Sequence, residues 1–157
     1  MRKANRQPSS QTLLTFQVGE RWFAIPLATV EGTGSLSSVT ALPGNTSRVF
    51  LGLSYVLGQL MSVVDIAPLF NLGSRLSAKD LLILKYEGYY YAIIVSVVGE
   101  ILTRPTIRAV RAMQGDAVLG VSVQKKRRII VLDVPGLITR HVCNCPNIKN
   151  CSSPRRE

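Results

Sequence analysis

Four residues near the C-terminus carry the donor chemistry of a metal site. His141, Cys143, Cys145 and Cys151 lie within eleven residues and offer one imidazole and three thiolates, a donor set that suits tetrahedral zinc. Their spacing is His-x-Cys-x-Cys followed by five intervening residues, which is not the Cys-x-x-Cys knuckle of common zinc modules. Asn144, Pro146 and Asn147 give the segment the composition of a loose tail. A reduced cytosolic tail therefore stands beside zinc as the reading, and three cysteines at one end do not make a disulfide framework.

The inventory for catalysis is thin. His141 is the single histidine, and no Ser or Cys occupies a recognised activating context. Asp65 and Asp133 are the repeated acids, and each precedes a short segment of helical character, residues 66–71 and 134–140. That placement suits capping of first-turn amides better than an acid and base pair. The glycines form neither a phosphate loop nor a dinucleotide fingerprint. The expectation is a protein that is not an enzyme and holds no cofactor.

One charged motif invites binding. Lys125, Lys126, Arg127 and Arg128 are consecutive between Val123 and Ile129, where a polar hairpin turn is expected. The run reads either as a solvated turn or as a docking patch for an acidic partner surface. Nucleic acid is disfavoured: Trp22, Tyr90 and Tyr91 fall in core-like segments, and no RRM, KH or helix-turn-helix pattern appears.

The whole chain is also basic, with 19 Lys and Arg against 9 Asp and Glu in 157 residues, a formal net charge of +10. Six of the cations and Glu157 sit in polar ends, so residues 7–148 keep 13 cations and 8 anions, a net of +5. The 46% hydrophobic content is enough for a packed core. The longest apolar stretch, residues 89–98, contains Ser96 and is far shorter than a membrane span, and no signal-peptide run follows the basic N-terminus. A cytoplasmic protein without membrane insertion is expected.

The elements that must position these residues are mostly strands. Leu14, Phe16 and Val18 alternate with polar neighbours, Gly19-Glu20 offers a turn, and residues 22–25 return. Residues 81–84, the Glu87-Gly88 turn and residues 89–98 repeat that hairpin plan. Further strands are expected over residues 38–42, 49–53, 60–64, 118–123 and 128–132.

Comparing the chain with itself at an offset of 68 residues pairs Leu13, Leu14, Ala24, Ile25 and Val30 with Leu81, Leu82, Ala92, Ile93 and Val98. Without a gap, Gly52, Ser54, Val63, Asp65 and Leu69 then meet Gly120, Ser122, Val131, Asp133 and Leu137. Chance matching of Val- and Leu-rich strands does not hold one register across two blocks. The reading is a tail over residues 1–11, a single domain over 12–140 made of two lobes (about 12–72 and 80–140), and a Cys-containing tail over 141–157. Each lobe is too small to bury much surface alone, so the two should pack together with a groove between them.

The segments Leu14-Thr-Phe-Gln-Val-Gly-Glu-Arg-Trp-Phe-Ala-Ile-Pro-Leu-Ala-Thr-Val30, Ser38-Val-Thr-Ala-Leu-Pro43, Phe50-Leu-Gly-Leu-Ser54 and Val63-Val-Asp-Ile66 resemble the CheW family of chemotaxis coupling proteins. The likeness continues through Ile83-Leu-Lys-Tyr86, Tyr91-Ala-Ile-Ile-Val95, Val98-Gly-Glu-Ile-Leu102, Leu119-Gly-Val121 and Ile129-Ile-Val-Leu-Asp133. The resemblance implies a mainly β fold of two SH3-like five-stranded barrel lobes. It also implies an adaptor that couples the cytoplasmic tip of a chemoreceptor to the regulatory domain of a CheA-like histidine kinase. On matching positions, Leu27, Val30, Val98 and Ile101 would line the inter-lobe groove that receives a helical hairpin, although each is equally readable as a core residue.

Two departures bear on the partners. Gly32 stands where the family has an acidic residue, with Glu31 beside it, and Tyr55-Val56-Leu57-Gly58 stands where the family reads Asn-Leu-Arg-Gly. Leu57 cannot supply the guanidinium fork of an Arg, though it offers an apolar contact if exposed. Two alternatives therefore accompany the coupling role: a diverged adaptor that links a receptor to another motility component without the kinase, and a basic module for nucleic acid or an acidic surface.

Overall fold

A computed structural model describes residues 11–44, 47–72, 80–109 and 117–142. Among these residues ten strands run in chain order: β1 Thr12–Val18, β2 Arg21–Pro26, β3 Val30–Ser35, β4 Phe50–Val56, β5 Gln59–Val64, β6 Asp80–Tyr86, β7 Tyr89–Val95, β8 Val97–Thr103, β9 Val118–Gln124 and β10 Arg127–Leu132. Helical segments among the described residues include a 3-10 turn at Leu27–Thr29, another at Ala67–Phe70, the one-turn helix α1 Val134–Leu137 and a π-type turn at Ile138–Val142.

The 68-residue offset maps β1 onto β6, β4 onto β9 and β5 onto β10 residue for residue, and the remaining strands to within one residue. Loop details obey it too. Thr40 bridges Leu53 as Arg108 bridges Val121, and Asp65 N–H donates to Val49 O as Asp133 N–H donates to Ala117 O, both at 2.8 Å. The segment 38–42 forms only that bridge, not a strand.

The sheets do not follow the expected division of the chain into lobes 12–72 and 80–140. One sheet has the order β8-β1-β2-β10-β9 and the other β3-β6-β7-β5-β4, so each takes two strands from one half and three from the other. β3 leaves its own hairpin and pairs antiparallel with β6, from Val30↔Leu84 to Ser35↔Asp80. Its counterpart β8 pairs with β1, from Thr12↔Thr103 to Gln17↔Val97. The apolar run 89–98 breaks at Ser96, where the chain crosses over: Ser96 N–H donates to Gln17 O at 2.7 Å and Gly19 N–H to Ser96 Oγ at 3.1 Å. The exchange gives the outer edge of each hairpin's first strand a ladder of partners, satisfying backbone groups that burial would otherwise leave unpaired.

Both sheets curl toward closure. In the first, Lys125 at the β9–β10 turn reaches Glu100 on β8, joining opposite ends of the strand order. In the second, a Cβ at Gly34 on β3 would stand 2.9 Å from Val56 Cγ1 on β4. Alternation then sorts side chains. Leu13, Ala24, Ile129 and Val131 fill one barrel, and Leu81, Ala92, Met61 and Val63 fill the other. Leu14, Phe16, Phe23, Leu82, Leu84 and Ile93 point to a core shared between the lobes. There Phe23 meets Phe16 with centroids 5.7 Å apart and Phe70 edge-on at 4.9 Å. Residues of both sheets thus bury their apolar surface in one common core.

Of the two expected caps, Asp65 accepts from Ala67 N–H through Oδ1 at 3.0 Å, whereas the Asp133 side chain makes no capping bond and its backbone carbonyl receives Leu137 N–H instead.

Candidate partner-binding surfaces

β3 and β8 are the edge strands that the crossover places on the two sheets. Between them lies a recess of about 390 Å³, lined by Thr33, Gly34 and Ser35 of β3, Asp80 and Leu81 of β6, and Val98 of β8. Val98 thus comes from one sheet and the rest of the lining from the other. Val98 is 38% exposed and Ile101, on the same strand, 53%. Leu27 and Val30 are placed differently: both are half-buried and pack against the shared core. Val30 and its repeat partner Val98 hold equivalent registers, opposite the counterparts Leu84 and Phe16 and each beside a bulge, so what separates them is what lies over each edge strand rather than the pairing. Glu31 is exposed on β3.

A second surface forms at the β4–β5 hairpin. Tyr55 and Leu57 are 70% and 79% exposed, the latter on a turn with φ of 52° followed by Gly58 at 80°. Tyr55 lies directly across from Leu60. The parallel register Ser62↔Tyr91 puts Leu60 next to Tyr89 on β7, and all four side chains are exposed. Leu60 and Tyr89 were not legible as contact residues: their neighbours on the chain are strand-like, and only the register shows that they extend one apolar row.

The basic run forms the β9–β10 turn, with φ of 52° at Lys125 and 64° at Lys126. Lys125 Nζ lies 3.4 Å from Glu100 Oε2, an exposed pair worth at most about 1 kcal/mol. Arg127 is drawn away from solvent, its guanidinium carbon 4.3 Å from the centroid of Trp22. Arg128 is exposed. Of the metal candidates, His141 is half-buried in the π-type turn, while Cys143, Cys145 and Cys151 lie outside the described residues. Among the described residues no group of three or more His, Cys, Asp and Glu side chains is arranged to hold a metal ion, and no helix is long and apolar enough to cross a membrane.

A family model of the CheW-like domain matches residues 12–142, both sheets and every strand. The chain belongs to the CheW family. Membership places it among adaptors of chemotaxis-type signal transduction. Among solved structures, the scaffolding protein TtCheW from Thermoanaerobacter tengcongensis superposes with a TM-score of 0.65 over 80% of this chain and 90% of that one, at 19% identity. At that identity the likeness concerns the fold. No curated protein sequence matches the chain.

Within this CheW-family fold the two departures acquire a geometric meaning. Gly32 and Leu57 are the 68-residue counterparts of Glu100 and Lys125, the two residues that pair in the other barrel. The second copy thus carries an acid and a base at the positions where the first has a glycine and an apolar side chain. At Gly32 a Cβ would meet nothing within 4 Å, so the missing acid has left open surface rather than a filled contact.

Proposed function

We propose that the chain is a non-catalytic coupling adaptor that joins the cytoplasmic tip of a chemoreceptor to the regulatory domain of a CheA-like histidine kinase. The observation that carries this reading is the recess between the sheets, with Val98 in its wall and Ile101 exposed on the same strand. An exposed apolar strip beside a recess suits a helical hairpin that offers apolar residues at helical spacing. In this reading Val98 and Ile101 touch the receptor, Glu31 borders the site, and Leu27 and Val30 support the floor from the shared core. Tyr55 and Leu57 meet the kinase.

A second reading, in which the kinase contact is lost and the receptor is linked to another motility component, is favoured by the apolar Leu57 and by Gly32. A partner whose carboxylate expects an Arg finds none there. Pull-downs with the receptor tip and the kinase regulatory domain, separately and together, decide between them. Retention of both supports coupling, retention of the receptor alone supports the second reading, and retention of neither removes both.

A further inference from the structure

The strongest unexplained feature is the difference between two ends of the molecule that share one backbone plan. At one end of the sheet β8-β1-β2-β10-β9, Lys125, Lys126 and Arg128 project from the β9–β10 hairpin, and Arg21 opens β2. The parallel register Ile129↔Trp22 sets Arg128 beside Arg21. All four cations are exposed. Two exposed acids share this end: Glu20, adjacent to Arg21, and Glu100, which Lys125 contacts. The four corresponding positions of the other sheet, 68 residues away, are Leu57, Gly58, Leu60 and Tyr89. The fold therefore does not require basic residues here.

Nor is the turn comfortable with them. Lys126 holds φ of 64° where its counterpart is Gly58. A side chain in that region is strained relative to glycine, and strain kept at an exposed turn points to use rather than to packing. Beside the cations, Val123 lies directly across from Arg128 and is exposed, as is Leu119 further along the same edge strand. The tip is thus basic with an apolar margin.

We propose that this end makes a peripheral contact with an anionic phospholipid surface. A convex hairpin bearing flexible cations suits a flat layer of laterally mobile charges, whereas a rigid acidic protein patch needs its carboxylates in register with them. The apolar margin would sit at the headgroup boundary. Single-stranded nucleic acid needs exposed aromatic faces for stacking. The nearest large ring, Trp22, is covered by Arg127 and by Gly99, where a Cβ would fall 2.6 Å from the indole. The proposal does not depend on receptor or kinase coupling.

The test is co-sedimentation of the full chain with phosphatidylcholine vesicles, with and without phosphatidylserine, across a salt series. Binding should require phosphatidylserine and fall as salt rises. Each cation removed should weaken it about five-fold, so K125Q/K126Q/R128Q should lose on the order of 100-fold. Lys126→Gly is the control for folding: it should raise the melting temperature yet weaken vesicle binding about five-fold. Equal binding to neutral vesicles, no binding to phosphatidylserine, or a triple variant that sediments like the unaltered chain would each overturn the proposal. So would tighter binding to a DNA duplex or to polyglutamate than to the anionic vesicles.

Discussion

At the scale of single residues, the backbone tolerates strain at some turns and forbids side chains at some crossings. Leu57 occupies a left-handed conformation at φ of 52°, unfavourable for a branched side chain with no local hydrogen bond to offer. Leu57→Asn should stabilise the fold by about 0.5–1 kcal/mol, read as a shift in the denaturation midpoint. It should also reduce whatever binding the apolar hairpin provides. Gly52 and Gly120 are the opposite case. A Cβ at Gly52 would lie against the backbone of Thr40, which bridges the adjacent Leu53, and one at Gly120 would stand 2.5 Å from Arg108 O. Gly120→Ala should therefore cost about 2–4 kcal/mol, because backbone on the facing segment must move. A melting temperature within a degree of the unaltered chain's would show that the bridge is dispensable.

At the scale of elements, Val30 and Val98 show how one motif repeated in sequence yields two environments. Both lie within the first two residues of an edge strand, but Val30 packs against the shared core while Val98 faces the recess. The sequence alone allowed a charged residue at either position to spare the fold, and the placement separates them. Val98→Asp should leave the thermal transition unchanged and remove receptor-tip binding by at least about ten-fold, the scale of one lost anchor. Val30→Asp should lower the transition itself by burying a carboxylate. Receptor retention at normal yield by Val98→Asp would move the receptor site away from β8. The hairpins make the same point in charge: Leu57 and Gly58 become Lys125 and Lys126 with the turn conserved in shape, so surface chemistry varies freely where backbone geometry does not.

For the molecule as a whole, strand exchange makes the halves interdependent. A fragment of residues 12–78 holds β1 and β2 of one sheet but β3, β4 and β5 of the other, and it exposes the residues of the shared core. Such a fragment should give no cooperative unfolding transition as a monomer. It should either remain unfolded or pair with a second copy that takes the place of the missing half. Mixing fragments 12–78 and 79–142 should restore a transition detectable by circular dichroism. A folded, cooperative, monomeric half would contradict the exchange of β3 and β8.

Much of this organisation was present in the residues. The offset of 68 marked two copies, the alternation of Leu14, Phe16 and Val18 marked a strand with one buried face, and Gly19 and Gly88 marked turns, because these signals are local and steric. The motif order from Leu14 to Asp133 carried the family. What remained hidden was pairing between distant strands. β3, with Gly32, Thr33, Gly34 and Ser35, has no apolar alternation to announce it, and its ladder comes from β6 some fifty residues onward. The recess at Val98 and the apolar row of Tyr55, Leu60 and Tyr89 exist only through such registers. Local preferences decide what a segment can become, whereas the burial of Phe16, Phe23 and Phe70 in one shared core decides which edges meet.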